Sequence, residues 1–357
     1  MRRRSQATEP SGRGRQRSVE GSAVLRVGVA GFGYWGPNLV RNLRSLENCR
    51  VVGLAEERQD RAALAARLYP DVRLFDSAQE LITWDGIDAV LVALPAKFLE
   101  ELGHLALEAG KSVLLEKPMA LSVKEGRGLV ARATGAGATA MVDYTFVYSP
   151  AIRRIRDILE SGQLGTPRYY QSTRLSLGPF RSDLDVIWDH MCHDLAILEF
   201  ILGQRPATVH AAGRPSPNSP MHTASLTVTY QDGFQLFAHA SWLAPKKVRT
   251  GILACDRGMI VYDDIEPDEK LKIYYLDEIF DPSSEESIAP TYRLGDVHAP
   301  RLEAAEPLRL MAANFVNAVL GLESPETDWH FGLRILSILE ASSKALATGQ
   351  IVEVERV

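Results

Sequence analysis

Val24-Leu25-Arg26-Val27-Gly28-Val29-Ala30 runs directly into Gly31-Phe32-Gly33-Tyr34-Trp35-Gly36, and then into Pro37-Asn38-Leu39-Val40-Arg41-Asn42-Leu43-Arg44-Ser45-Leu46. The first run is short and apolar, as a buried strand requires. The last carries Leu39, Val40 and Leu43 as a helix would space them. Its proline falls in the first turn, where the missing N–H has no helical partner anyway. The glycines therefore sit where a strand hands over to a helix. In that setting Gly31 allows the tight turn, Gly33 lets a pyrophosphate approach the backbone, and Gly36 lets helix and strand pack closely. The helix N-terminus adds unpaired N–H groups and a positive dipole.

Working outward, the next apolar run, Arg50 to Ala55, ends at Glu56, which lies 20 residues after Gly36. An acid there accepts hydrogen bonds from adenosine ribose hydroxyls and repels a 2′-phosphate, so NAD is expected in preference to NADP. Arg58 works the other way, since it could reach a phosphate. Helices and apolar strands then alternate: helix 59–68, strand 72–75, helix 77–83, strand 89–94, helix 98–109, strand 112–115, helix 123–134 and strand 139–142. Continuous apolar strands separated by helices imply a parallel sheet covered on both faces, with ligands beyond the strand C-termini. Glu116-Lys117-Pro118 follows the 112–115 strand directly. A lysine there, partly desolvated, is expected to have a lowered pKa and to exchange a proton with a substrate hydroxyl. A surface lysine at a strand end is the other reading.

After a helix over 150–161 the pattern changes. Strands are expected at about 167–175, 208–212, 224–230, 234–242, 248–254, 258–262 and 270–275, with an Asp232-Gly233 hairpin turn. Strands in succession without helices between them imply an antiparallel sheet. Helices near 307–320 and 331–347 complete the chain, and 277–300 reads as a polar, proline-rich loop. Asp189 and His193 stand four apart at the start of a helix continuing through Leu195, Ile197, Leu198, Ile201 and Leu202, so they stack on one face. The histidine could equally be a cap or a satisfied core residue.

Taken together, the glycine turn, Glu116-Lys117-Pro118 and Asp189-His190-Met191-Cys192-His193 resemble the Gfo/Idh/MocA oxidoreductases (glucose–fructose oxidoreductase, inositol dehydrogenase, rhizopine catabolism). Gly33-Tyr34-Trp35-Gly36-Pro37-Asn38-Leu39 and Val186 to Asp194 look like a subgroup often found with nucleotide-sugar genes. The resemblance covers about 25–357. It implies an α/β protein: an N-terminal Rossmann domain (23–145), and a C-terminal α/β domain (146–357) with a large open, mainly antiparallel sheet. The last helix is expected to return to the first domain. Homodimers or homotetramers through the sheet are implied. So are cofactor contacts from Gly31, Gly33, Tyr34, Trp35, Gly36, Glu56, Arg58, Leu94, Pro95, Glu116 and Lys117. Lys117, Asp189 and His193 would surround the reacting carbinol. His193 is the first choice of base, with an unperturbed pKa near 6.5, and Lys117 is the competitor. Asp189 would orient the substrate. Tyr148, Arg174, Arg181 and His190 would join these three as substrate contacts, the two arginines suiting a diphosphate or carboxylate unless paired with Asp183 or Asp185. Many members carry a histidine shortly after Leu94-Pro95, where this chain has Phe98 and Leu99.

The expected function is oxidation of a secondary alcohol on a sugar, a nucleotide-linked one, or the reverse reduction. A free-sugar or inositol dehydrogenase is the alternative within the class, and a non-catalytic dinucleotide sensor the alternative outside it. Composition agrees: 357 residues allow two domains, and 46% apolar with 24% charged residues is globular usage. No run of about 18 apolar residues predicts a membrane span. Residues 1–21 hold six arginines against two glutamates and read, through about residue 22, as a disordered arm. Of the net −5, that leaves −9 on the body, which argues against a nucleic-acid surface. Cys49, Cys192 and Cys255 are too scattered for a disulfide framework and fit a reducing, cytoplasmic setting. The histidines and aspartates around residue 190 have no Cys/His partner at a ligand spacing elsewhere, so no metal is expected.

Overall fold

A computed structural model of the chain describes residues 24–178, 180–213, 220–276 and 294–357. The arm expected over 1–22 lies outside the described residues. The first half alternates as its apolar runs dictate. Its strands are β1 (Leu25–Ala30), β2 (Cys49–Ala55), β3 (Arg73–Phe75), β4 (Ala89–Val92), β5 (Ser112–Leu115) and β6 (Ala140–Val142). Between them lie α1 (Gly36–Arg44), α2 (Gln59–Leu68), α3 (Ala78–Thr83), α4 (Leu99–Glu108) and α5 (Val123–Ala136). All six strands are parallel, in the order β3-β2-β1-β4-β5-β6. Every residue of β4 and β5 is buried, because both faces of the sheet carry helices. The order reverses between β1 and β4. Chain ends leaving that point therefore line a crevice at the strand C-termini.

The second half begins with α6 (Pro150–Glu160) and β7 (Pro167–Leu177), then α7 (Cys192–Leu202). It continues with β8 (Pro206–Gly213), β9 (Thr223–Tyr230), β10 (Gln235–Ser241), β11 (Leu243–Cys255), β12 (Gly258–Asp263), β13 (Leu271–Leu276) and β14 (Leu294–His298). The chain closes with α8 (Pro307–Val319), α9 (Trp329–Thr348) and β15 (Val352–Glu353). Nine strands form one sheet, ordered β14-β13-β12-β11-β7-β10-β9-β8-β15. Its pairs are antiparallel except β7 with β10, which are parallel, because the α7 crossover and a hairpin intervene. The hairpin turn is as its dipeptide predicts: Gly233 has φ +89° and Asp232 Oδ1 accepts from Phe234 N.

Two strand readings need correcting. Residues 243–255 are a single strand with a bulge against β7, not one starting at 248. Leu294–His298, read as part of a loop, pairs with β13 at the sheet edge; the rest of 277–293 lies outside the described residues. One face of the sheet is covered by α7 and α9, so β9 buries Ala224, Leu226, Val228 and Tyr230 in alternation. Among the described residues the other face is left open, with Tyr169 and Phe237 exposed side by side at 6.2 Å.

The two halves are stitched at the edge of the parallel sheet. Val142 N donates to Thr327 O at 2.8 Å, Thr327 Oγ1 to Val142 O at 2.7 Å, and Trp329 Nε1 to Met141 O at 3.0 Å. Thr327 and Trp329 are fully buried. From there α9 packs along α5, where a Cβ on Gly126 would meet Leu336 at 2.7 Å. On the opposite flank Arg41 and Asn42 of α1 both donate to Glu306, which leads α8.

Candidate active site

The glycine turn is built as its spacing requires. Gly31 has φ +102°, and a Cβ there would lie 2.4 Å from Ala93 O. A Cβ on Gly36 would lie 2.4 Å from Gly31 O, so the turn folds on to the start of α1. Gly33 differs: a Cβ there meets no atom within 4 Å, so its surface is open. That opening, beside the N-terminus of α1, is a cradle that a side chain would fill, and it fits a dinucleotide pyrophosphate. Tyr34 and Trp35 are exposed beside it. Glu56 anchors the turn, accepting from Phe32 N at 2.8 Å and Arg58 N at 2.9 Å. The Arg58 guanidinium points away to Asp60 at 2.9 Å on the exposed surface, so the phosphate contact expected of it is not prepared here. Leu94 packs against Gly31, and Pro95 is exposed at the crevice edge.

Glu116 and Lys117 leave β5 at the crevice, with Asp143 leaving the neighbouring β6. Lys117 Nζ donates to Asp189 Oδ1 at 3.0 Å and to Asp189 O at 2.7 Å. Asp189 belongs to the second half, so this contact bridges the cleft. The segment bearing it is not the regular helix start expected. Ile187–Met191 is a turn of π-helix in which Cys192 N reaches back to Ile187 O, and α7 begins only after it. Such turns recur at functional sites because they re-aim side chains. Asp185 starts the turn, its Oδ1 accepting from Ile187 N at 2.8 Å and Trp188 N at 3.0 Å.

The electrostatics correct two expectations. Burial acts to lower the Lys117 pKa, but the Cys192 thiol and Asp189 more than offset it, and the net shift is upward. Lys117 is thus a fixed ammonium rather than an activated amine. His193, expected near its ordinary value, is driven well below 6.5 by burial and then by Lys117, Arg174, Arg249 and His190. Its Nδ1 is buried without a partner, and its ring lies 4.8 Å from that of Phe146. Burial likewise takes His190 down to about 4. Its Nε2 accepts from Trp242 Nε1 at 3.3 Å and stands 3.5 Å from Asp189 Oδ2. Burial would raise the Asp189 pKa, but Lys117, His190 and Arg181 pull it below the usual carboxylate value. Glu116 is pushed up to about 8 by burial and the neighbouring charge of Asp143, and Asp143 to about 6 by burial.

The remaining expected contacts divide. Tyr148 is fully buried and turned away from the cleft, its hydroxyl bonding Asn314 and Thr327 at 3.1 Å each; it is a packing residue between the halves. Arg174 is buried and committed to Asp194 at 2.6 Å, so it is no open fork for an anion. Arg181 does reach the site, 3.3 Å from Asp189 Oδ1, but also holds Asp183 at 2.9 Å. Cys192 is a buried thiol donating to Asp189 O at 3.4 Å. Phe146, Trp242 and Arg249 went unnoticed in the sequence, and Asp194 was noted only as one of the aspartates weighed for a metal. Only Asp143, placed after its strand just as Glu116 is, carried a signal. Among the described residues no three His, Cys, Asp or Glu side chains are grouped to hold a metal, and no helix is long and apolar enough to cross a membrane.

Known proteins agree with this layout. Residues 25–144 match the model of the GFO/IDH/MocA oxidoreductase family with an NAD-binding Rossmann fold, and residues 152–261 match the GFO/IDH/MocA C-terminal domain. The chain is 25% identical to D-apiose dehydrogenase of Paraburkholderia graminis over 347 residues, 92% of this chain and 89% of that protein. It is 30% identical to UDP-N-acetylglucosamine 3-dehydrogenase of Acidithiobacillus ferrooxidans over 213 residues, 58% of this chain and 64% of that one. The solved structure of the latter superposes with a TM-score of 0.77 at 24% identity, covering 90% of this chain and 98% of that chain. GenD2 from gentamicin A biosynthesis, solved in complex with NAD, gives 0.79 at 20% identity over 94% of this chain and 97% of its own. With its crevice at the switch point and its lysine–aspartate bridge between the halves, the chain belongs to the GFO/IDH/MocA oxidoreductases, dehydrogenases built on an NAD-binding Rossmann fold.

Proposed function

We propose that this enzyme interconverts a secondary alcohol and a ketone on a sugar, and that the sugar is nucleotide-linked. The reading is carried by the Lys117–Asp189 bridge at the end of β5, one turn from a neutral imidazole at His193. A nicotinamide dinucleotide held at the Gly31–Gly36 turn would supply the hydride acceptor for the carbinol carbon. The chain's own groups handle the proton and the charge. Lys117 donates to the carbinol oxygen and stabilises the negative charge that develops there. Asp189, kept ionised, holds the ammonium in place. His193, kept neutral, accepts the hydroxyl proton. The nucleotide link is supported by the likeness to UDP-N-acetylglucosamine 3-dehydrogenase. We further propose that NAD is used in preference to NADP, on the carboxylate of Glu56, and that the open face of the nine-stranded sheet is covered by a second copy, which light scattering tests.

The main test follows NADH absorbance with nucleotide sugars, free sugars and inositols. Turnover of nucleotide sugars above the others is expected; preference for free sugars or inositols refutes the assignment. Lys117→Ala should bind NADH, seen by fluorescence, while kcat falls at least about a hundredfold. Unchanged turnover would remove Lys117 from the chemistry.

A further inference from the structure

We propose that Arg249 is a specificity-determining residue that receives an anionic group of the substrate, a carboxylate on the sugar ring or a phosphate of the glycosyl nucleotide. The inference rests on the reading that the substrate occupies the cleft at Lys117, Asp189 and His193. Arg249 lies on β11 directly across from Arg174 on β7. Both guanidinium groups face Phe146, at 5.4 Å and 4.5 Å from its centroid, and the His193 ring packs against the same phenylalanine at 4.8 Å. Arg249 is thus one side chain removed from the reacting centre.

Like charges directly opposite on a sheet repel, and the two arginines are treated differently. Arg174 is buried, and Asp194 neutralises it. Arg249 stays 36% exposed and holds Asp264 through Nη1 alone, at 3.2 Å. That carboxylate is shared: Lys270 lies 3.9 Å from Oδ1, and Tyr262 donates to it at 2.9 Å. Elsewhere in the cleft Lys117 and Arg181 are matched by Asp183 and Asp189. Among the described residues of the cleft, Arg249 and Lys270 share the one carboxylate of Asp264, and Lys270 also donates to Asp264 O at 2.6 Å. The nearby loop acid Glu269 is engaged by Lys272 at 2.8 Å. A partly exposed guanidinium whose Nε and Nη2 find no hydrogen-bond partner among the described residues, pinned at one end, presents a fork suited to two anionic oxygens.

The test compares wild type, Arg249→Gln, Arg249→Lys and Asp264→Asn on four substrates: a UDP-hexose, a UDP-hexuronate, the free hexuronate and the free hexose. In Arg249→Gln, kcat/KM for the anionic substrates relative to the free hexose should fall roughly ten- to hundredfold, the loss of one or two charge-assisted hydrogen bonds, chiefly through KM. Arg249→Lys should restore part of that ratio. Asp264→Asn should lower it less. Selective loss on both uronates but not on the UDP-hexose assigns the contact to the ring carboxylate; loss on both UDP-sugars but not on the free uronate assigns it to phosphate. An equal change on all four substrates overturns the proposal and leaves the nucleotide-sugar reading standing. A wild type that prefers the free uronate, with the ratio still dependent on Arg249, sinks that reading and keeps the proposal. Preference for the free hexose overturns both.

Discussion

Replacing Glu116 by glutamine should make the protein more stable at neutral pH while flattening its response to pH. Glu116 sits largely buried at the end of β5 with Asp143 beside it, and its pKa is pushed up to about 8 from the ordinary 4.5. The folded state therefore keeps a proton that the unfolded chain releases. Stability from this group is complete below the unfolded value and is lost as pH rises from about 4.5 towards 8, since the native state binds more protons than the unfolded one. Between pH 5.5 and 7.5 linkage through this buried carboxyl removes stability on the order of 2 kcal/mol. Glutamine has nearly the same shape and no proton to keep. Urea unfolding at both pH values measures the effect: the wild-type free energy should drop relative to Glu116→Gln by on the order of 2 kcal/mol between pH 5.5 and 7.5. Parallel behaviour of the two proteins, or a larger drop in the variant, would refute a protonated carboxyl at this position.

Gly33→Val places atoms in open space and should leave the urea midpoint within error while abolishing NADH binding by fluorescence titration. Gly31→Ala forces a side chain against Ala93 O at positive φ and should destabilise the fold by roughly 1–3 kcal/mol. Asp194→Ala strands a buried guanidinium on Arg174 and should cost about 3–5 kcal/mol in urea unfolding; a loss under about 1 kcal/mol would contradict the pairing. With neutral His193 proposed as the base and its pKa held well below 6.5, kcat/KM for oxidation should show no acid limb near pH 6.5, falling only further into acid; an inflection at 6.5 would overturn its assignment as a depressed base.

The parallel sheet was legible because each of its strands is an apolar run bounded by turn residues, and the glycine turn because backbone geometry dictates residue type there. The second sheet was legible as a succession of strands, but not in its parallel β7–β10 pair, which depends on where α7 carries the chain. Lys117, Asp189 and His193 were singled out by motif, and the titration of the lysine and the histidine was misjudged for a common reason. A lysine's pKa depends on the carboxylate across the cleft, and a histidine's on its burial and on a lysine and arginines 19 and more residues distant in the chain, and spacing reveals neither. The same blindness placed Tyr148 and Arg174 at the substrate: a tyrosine at a domain boundary and an arginine before a helix look identical whether they face solvent or are locked to Asn314 or Asp194. Arg249 was hidden because nothing near it in the chain belongs to the site.

The ammonium of Lys117 grows from one half of the molecule and its counter-ion from the other, while Thr327 and Trp329 clasp the halves behind them. Rocking of one lobe against the other, pivoting on that rear clasp, would pull this front latch apart first. The distance between amine and carboxylate is thus a gauge of lobe separation, and a guest wedged into the mouth would be sensed at the reacting groups before the frame behind them had moved.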